Sequence, residues 1–220
     1  MATRYHRIAA QDLGRLAALS DGIFAVAMTL LVLDLRVPAA QTWHERLLWS
    51  TGAVSDEEQV WHALTDTGPK FAICLLGFLT LGMFWIGQQT QLNLLTRADR
   101  SLAWIHIMFL FGICLVPFAT ALLAAFPQSR LALLVYWVDL LYLGLVQLAG
   151  LRYARRAELF ADTTTPEDVT AIRRRIGIVQ LLYAVSVALC PISTYLSIGV
   201  IIALQVNSAV SPPIRPLNKF

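Results

Sequence analysis

The segment that decides the fold lies near the start of the chain and reads RLAALSDGIFAVAMTLLVLDL over residues 15–35. Its uncharged centre, Gly22 to Leu33, covers only twelve residues, whereas a membrane-spanning helix needs about 20. A complete span therefore includes Arg15, Asp21 and Asp34. Because an ionisable side chain inside a membrane helix is costly, a helix that holds several of them indicates a role beyond anchoring.

The composition of the whole chain also favours a membrane protein. The chain has 220 residues, of which 57% are hydrophobic and 14% charged, while soluble domains carry about 25% charged residues. This length fits one compact membrane domain over residues 1–220, embedded in membrane lipid. The net charge of +3 comes with basic residues grouped in short loops, so nothing indicates a nucleic-acid partner.

Five more apolar stretches have lengths close to that of a bilayer span. With the first they predict an all-α, polytopic membrane protein with six transmembrane helices, at about residues 13–37, 71–94, 101–125, 131–152, 170–190 and 193–210. The uncharged stretch 176–214 is too long for one upright span. Pro191, followed by Ser193 and Thr194, predicts a break there, although one long kinked helix is an alternative. Residues 165–168, TPED, resemble a helix start with proline at the first position.

The distribution of Lys and Arg predicts the orientation. With six spans, thirteen of these residues fall on the side of the two termini and four on the other side, namely Arg36, Arg46, Lys70 and Arg130. Since cytoplasmic loops are enriched in Lys and Arg, both termini are predicted to be cytoplasmic. The outer segment 38–69 is acidic and holds three tryptophans, which suits either an ordinary solvated loop or an interfacial helix.

Helical geometry divides the first span into two sides. At about 100° per residue, one stripe contains Gly22, Val26, Thr29, Leu30 and Leu33. Asp21 lies about 100° away from Gly22, off this stripe. An apolar stripe with one hydroxyl group is, by itself, more typical of a lipid- or core-facing surface than of a pore lining.

The motifs of the first three spans resemble those of the transmembrane protein 175 family. The first is Arg15-x-x-x-Leu19-Ser20-Asp21 followed by TLLVL at 29–33, with Leu19 where the family has Phe. The second is GMFWIGQQ at 82–89, in which Trp85 matches and Gln88 and Gln89 replace paired histidines. With the PFATAL segment at 117–122, the resemblance covers residues 15–123, and from 124 onward only hydropathy agrees.

The resemblance implies a cation channel for potassium, with protons as a further permeant ion, and without a re-entrant selectivity filter. It implies a homotetramer in a prokaryotic plasma membrane, whose central pore is lined by the first helix, and no cofactor. The pore-lining apolar positions correspond to Val26, Leu30 and Leu33, which form a hydrophobic constriction, and the selectivity position corresponds to Thr29. The inter-helix polar network corresponds to Arg15, Ser20, Asp21, Trp85, Gln88 and Gln89.

Two other function classes stay open at this point. A small secondary transporter would use an intramembrane carboxylate, Asp21 or Asp139, and a non-conducting membrane scaffold would use none. Enzyme signatures such as HExxH and GxSxG are absent from the sequence, as is any CxxC pair that would indicate a metal site. His106 is the only histidine within a predicted span, and this position is more typical of a hydrogen-bonded interior residue than of a proton relay.

Overall fold

The computed structural model describes residues 12–33, 35 and 53–210. Over these ranges the chain forms six α-helices: α1 (Leu13–Leu33), α2 (Ala53–Leu92), α3 (Arg100–Ala125), α4 (Arg130–Arg156), α5 (Pro166–Ala188) and α6 (Thr194–Val210). The described ranges contain no strand, and one isolated bridge joins Leu95 to Phe160. The all-α prediction is confirmed. The last predicted positions of the first span, 34 and 36–37, lie outside the described residues.

Four of the helices are long and apolar enough to cross a bilayer. They include Leu13–Leu33, Val60–Leu92, Arg100–Ala125 and Arg130–Arg156. The apolar part of α6, Thr194–Ser208, is shorter. The polytopic membrane fold is therefore visible in length and composition alone, most clearly in the first four helices.

Helix α2 begins well before its predicted span. It has 40 residues and is roughly 60 Å long at about 1.5 Å per residue, about twice the thickness of the hydrocarbon core. Residues 53–69 are therefore helical and not an ordinary solvated loop. Exposed charged or polar side chains recur every fourth residue there, at Glu58, His62, Asp66 and Lys70, which is a helical period that hydropathy registers only as polarity.

Proline and capping residues set the remaining boundaries. Residues 189–193, which contain Pro191, separate α5 from α6, so the uncharged stretch forms two helices. The predicted start of α5 is confirmed: Pro166 is in the first turn, and Thr165 and Asp168 form a capping box. The amide and hydroxyl of Thr165 donate to the Asp168 carboxylate at 2.9 and 2.8 Å, and these bonds lower the pKa of that carboxyl.

Helix α3 occupies the centre of the bundle. It packs against α1, α2 and α4, while α5 packs on α4, and α6 packs on α2 and α5. Ile113, Val116 and Leu123 of α3 are completely buried. The approach of α3 to α4 is close at Gly112, where a Cβ atom would meet the side chains of Tyr142 and Leu143 at 2.7–2.8 Å. Small residues at such crossings allow membrane helices to pack tightly.

Candidate functional site

Helix α1 has a buried face and, roughly opposite, an exposed face. The buried residues are Leu16, Ser20, Phe24, Ala27 and Leu31, which contact α2 and α3. In the exposed stripe, Val26 is 59%, Leu30 45% and Leu33 73% exposed. At 100° per residue, the mean direction of these buried residues differs by roughly 140° from that of the five-residue stripe Gly22, Val26, Thr29, Leu30 and Leu33. The stripe found in the sequence is therefore the surface that the folded chain leaves uncovered.

Thr29 is the one hydroxyl residue of the exposed stripe. Its Oγ1 donates to the carbonyl oxygen of Val26 at 2.8 Å. Because the hydroxyl hydrogen is used in that bond, the oxygen lone pairs remain available on the exposed side. The side chain can therefore act as a hydrogen-bond acceptor or a cation ligand towards whatever occupies that side.

Ser20 is the centre of a buried polar cluster between α1, α2 and α3. Gln88 Nε2 of α2 donates to Ser20 Oγ at 2.7 Å, and His106 Nε2 of α3 lies 2.7 Å from the same oxygen. Gln88 Nε2 and His106 Nε2 are themselves 3.0 Å apart. Ser20 is 0%, Gln88 3% and His106 8% exposed. A buried polar group without partners would be costly in this setting, so these bonds fix α1 against its neighbours.

Asp21 is held by a second pair of donors, both from α2. Its Oδ1 accepts from Trp85 Nε1 at 2.7 Å and from Gln89 Nε2 at 2.9 Å. Asp21 is exposed in the isolated subunit, and Trp85 is 39% exposed. Gln88 thus bonds Ser20 and Gln89 bonds Asp21. These two pairs of neighbouring residues fix the position of α1 along α2.

Arg15 is not brought into either cluster. It is exposed, and within the described residues only its backbone amide forms a hydrogen bond, to Asp12 Oδ1 at 3.3 Å. The structure therefore brings together five of the six predicted network residues, in two groups, and the Arg15 guanidinium forms no hydrogen bond to either group.

The family pattern did not name His106 as a member of the network. The available signal was its position as the only histidine in a predicted span, which indicated an interior hydrogen-bonded residue. Its partners lie 86 and 18 positions away in the sequence, so no local periodicity relates them.

Asp139 of α4 has a different environment from Asp21. It is 8% exposed, and within the described part of the chain neither carboxylate oxygen has a hydrogen-bond partner. Asp139 does not line the cavity beside His106 or the cavity between α2 and α5. A carboxylate that binds a transported ion needs an aqueous approach, and neither cavity supplies one to Asp139.

Comparison with known proteins places these features in a family. Residues 15–117 match the family described as endosomal/lysosomal potassium channel TMEM175. A potassium channel of Chamaesiphon minutus is 32% identical over 203 residues, covering 90% of this chain and 94% of that protein. A potassium channel of Streptomyces collinus is 30% identical, covering 84% of this chain and 86% of that protein. The similarity thus extends well beyond residue 123.

A solved structure shares the fold. The crystal structure of a lysosomal potassium-selective channel TMEM175 homolog from Chamaesiphon minutus has a TM-score of 0.66 and 29% sequence identity, and the match covers 92% of this chain and 98% of that one. The sequence motifs, the helical fold and two relatives of nearly the same length agree. The chain belongs to the TMEM175 family.

Proposed function

We propose that this chain is the subunit of a cation channel in which four copies surround a central pore lined by α1. The observation that carries the proposal is the exposed stripe of α1, which lies opposite the face that holds the helix to the bundle. In its most apolar stretch only 22% of α1 is buried, against 44–50% for the other three long apolar helices. A helix so sparsely covered within its own subunit is suited to face a shared axis.

Exposed polar groups favour this position over a lipid-facing one. Arg15, Asp21 and Thr29 are all exposed in the isolated subunit. A charged side chain that faces lipid is costly, whereas water in a pore or a neighbouring subunit can satisfy it. In the tetramer, Arg15 would complete the polar network by contacting a neighbouring copy.

The constriction of the pore would be hydrophobic. Rings of Val26, Leu30 and Leu33 from four subunits narrow the path at successive levels, and such rings can gate by losing their water. No cofactor takes part, because the permeant monovalent cation, K⁺ or H⁺, is the cargo itself. The two polar clusters would act indirectly, by holding α1 at the radius that sets the pore width.

Thr29 would supply polar contacts between the apolar rings. Its hydroxyl hydrogen is used by the Val26 carbonyl, so a ring of four Thr29 oxygens presents lone pairs to a passing ion. Selectivity would come from this ring, without a re-entrant carbonyl filter.

The proposed membrane topology follows from the six helices and from the distribution of Lys and Arg. All six helices cross the membrane as a single domain, both termini lie on the cytoplasmic side, and the protein resides in the plasma membrane of a prokaryote. The basic residues flanking the spans support this orientation.

Substitution of one valine in the stripe tests the proposal against a matched valine outside it. Val26→Asn places an amide in one ring of the constriction and is expected to raise K⁺ flux in reconstituted liposomes, because a polar ring stays hydrated. Val32 is on the same helix and is 54% exposed, but it lies about 120° from Val26 around the helix. Val32→Asn is expected to leave flux unchanged at equal yield of assembled protein.

The same preparation separates the classes of function. A channel gives unitary currents, whereas a carrier shows saturable flux and counter-exchange, and a scaffold shows neither. If Val26→Asn and Val32→Asn both conduct like the wild type, α1 does not line the path and the proposal fails.

A further inference from the structure

A cavity separates two helices that scarcely touch each other. Helix α2 packs against α1, α3 and α6, and α5 packs against α4 and α6, but α2 and α5 hardly contact one another. The gap between them holds a cavity of about 100 Å³. Its lining comes mainly from Met83 to Gln91 of α2, from Ile172 to Tyr183 of α5 and from Gln147 of α4, and includes no residue of α1.

Three glutamines from three helices line this cavity, and Gln91 and Gln147 also line the neighbouring cavity beside His106. Gln91 Nε2, Gln147 Nε2 and Gln180 Oε1 are buried and have no hydrogen-bond partner among the described residues, and all three residues line the cavity. Gln147 is only 8% exposed. Since a buried polar group without a partner is costly, most of all in a membrane, three of them around one space indicate a polar occupant.

The other lining residues specify the chemistry of that occupant. Arg175 of α5 contributes a guanidinium, which is exposed and forms no hydrogen bond or ion pair with the described residues. A guanidinium matches a phosphate group in geometry and charge. Phe84, Ile176 and Val179 make the adjoining wall apolar. The lining of one cavity therefore combines an anion ligand, amide donors and an apolar surface.

We propose that this cavity binds an anionic phospholipid. The lipid phosphate pairs with Arg175, the glycerol ester carbonyls accept hydrogen bonds from Gln91 and Gln147, and an acyl chain lies along the apolar wall. Free phosphate would also pair with Arg175 but would make no contact with the apolar wall, so the lipid fits the site better. The site does not depend on where the pore lies.

Lipid retention in native mass spectrometry tests the site with a matched control. Purified wild-type protein is equilibrated with phosphatidylglycerol or phosphatidylcholine vesicles, and the bound lipid per chain is counted. Arg175→Gln is expected to lower retained phosphatidylglycerol about tenfold, the effect of losing one charge-assisted bond. Arg174→Gln removes the same charge from the neighbouring exposed position, which does not line the cavity, and is expected to retain the lipid.

Gln147→Leu tests the interior of the site independently of the surface charge. It is expected to weaken phosphatidylglycerol retention without lowering thermal stability, because it removes an unbonded amide from the apo protein. The proposal would be overturned if Arg174→Gln and Arg175→Gln lost phosphatidylglycerol equally. It would also be overturned if the wild type retained phosphatidylcholine as well as phosphatidylglycerol, or retained neither lipid. Displacement of the lipid by millimolar inorganic phosphate would assign the site to free phosphate and overturn it as well.

Discussion

Replacement of Ser20 by alanine isolates the contribution of the buried cluster that holds α1. The hydroxyl oxygen accepts from Gln88 at 2.7 Å and lies 2.7 Å from His106, so Ser20→Ala removes two contacts between helices. Inter-helix hydrogen bonds in membranes contribute about 0.6 kcal/mol on average and up to about 1.7. Gln88 Nε2 and His106 Nε2 lie 3.0 Å apart, so after the substitution the amide can donate to the imidazole in the tautomer whose Nε2 carries no hydrogen. We therefore expect a loss of about 1.5 kcal/mol in the free energy of unfolding.

A second serine supplies the control for this substitution. Ser186 is 1% exposed and donates to the carbonyl of Leu182 at 2.8 Å, just as Ser20 donates to Leu16 at 2.8 Å. Ser186 has no hydrogen bond to another helix within the described residues. Ser186→Ala loses only the local bond and gains helix propensity, so its effect should stay within about 0.5 kcal/mol.

Unfolding titrations with SDS in mixed micelles measure both variants on the same scale. A double-mutant cycle of Ser20→Ala with Gln88→Leu should give a coupling energy of about 0.5–1.5 kcal/mol. Equal free energies of unfolding for Ser20→Ala and Ser186→Ala would refute the reasoning, since the inter-helix bonds would then contribute nothing.

Three further substitutions address packing, selectivity and mechanism. Gly144→Ala places a methyl group on the Gln180 amide and should cost about 1–3 kcal/mol in the free energy of unfolding, most of which the double variant with Gln180→Ala should recover. Thr29→Val removes the hydroxyl ring and should lower the K⁺/Na⁺ permeability ratio measured from reversal potentials, while an unchanged ratio would exclude Thr29 from selectivity. Asp139→Asn should leave ion flux unchanged at equal yield, whereas loss of flux would favour a carrier that uses this carboxylate.

Much of the fold follows from local patterns in the sequence. Apolar runs of bilayer length predicted the helices that the structure contains, Pro191 located the break between α5 and α6, and the run TPED located the start of α5. The azimuth of the α1 stripe also followed from the sequence, because it depends only on the helical period and not on tertiary contacts.

The features of the fold and the site that could not be predicted from the sequence depend on contacts between residues far apart in the chain. The Ser20–Gln88–His106 cluster requires the relative heights of three helices, which no periodicity within one helix determines. The extra length of α2 was missed because Glu58, His62, Asp66 and Lys70 make one side polar, and hydropathy averages over all sides of a helix. The amide cavity arises from Gln91, Gln147 and Gln180 meeting in space.

Thiol accessibility in conducting channels tests most directly whether the α1 stripe lines the ion path. Val26 is 59% exposed, and its neighbour Ala27 is 2% exposed, so cysteines at these two positions report an exposed and a buried face of one helix, about 100° apart. Wild-type channels, which contain Cys74, Cys114 and Cys190, control for native thiols. A water-soluble, charged thiol reagent should block single-channel current through Val26→Cys and leave Ala27→Cys and the wild type conducting. Unblocked current through Val26→Cys, or equal block of Ala27→Cys, would contradict the assignment of this face to the pore.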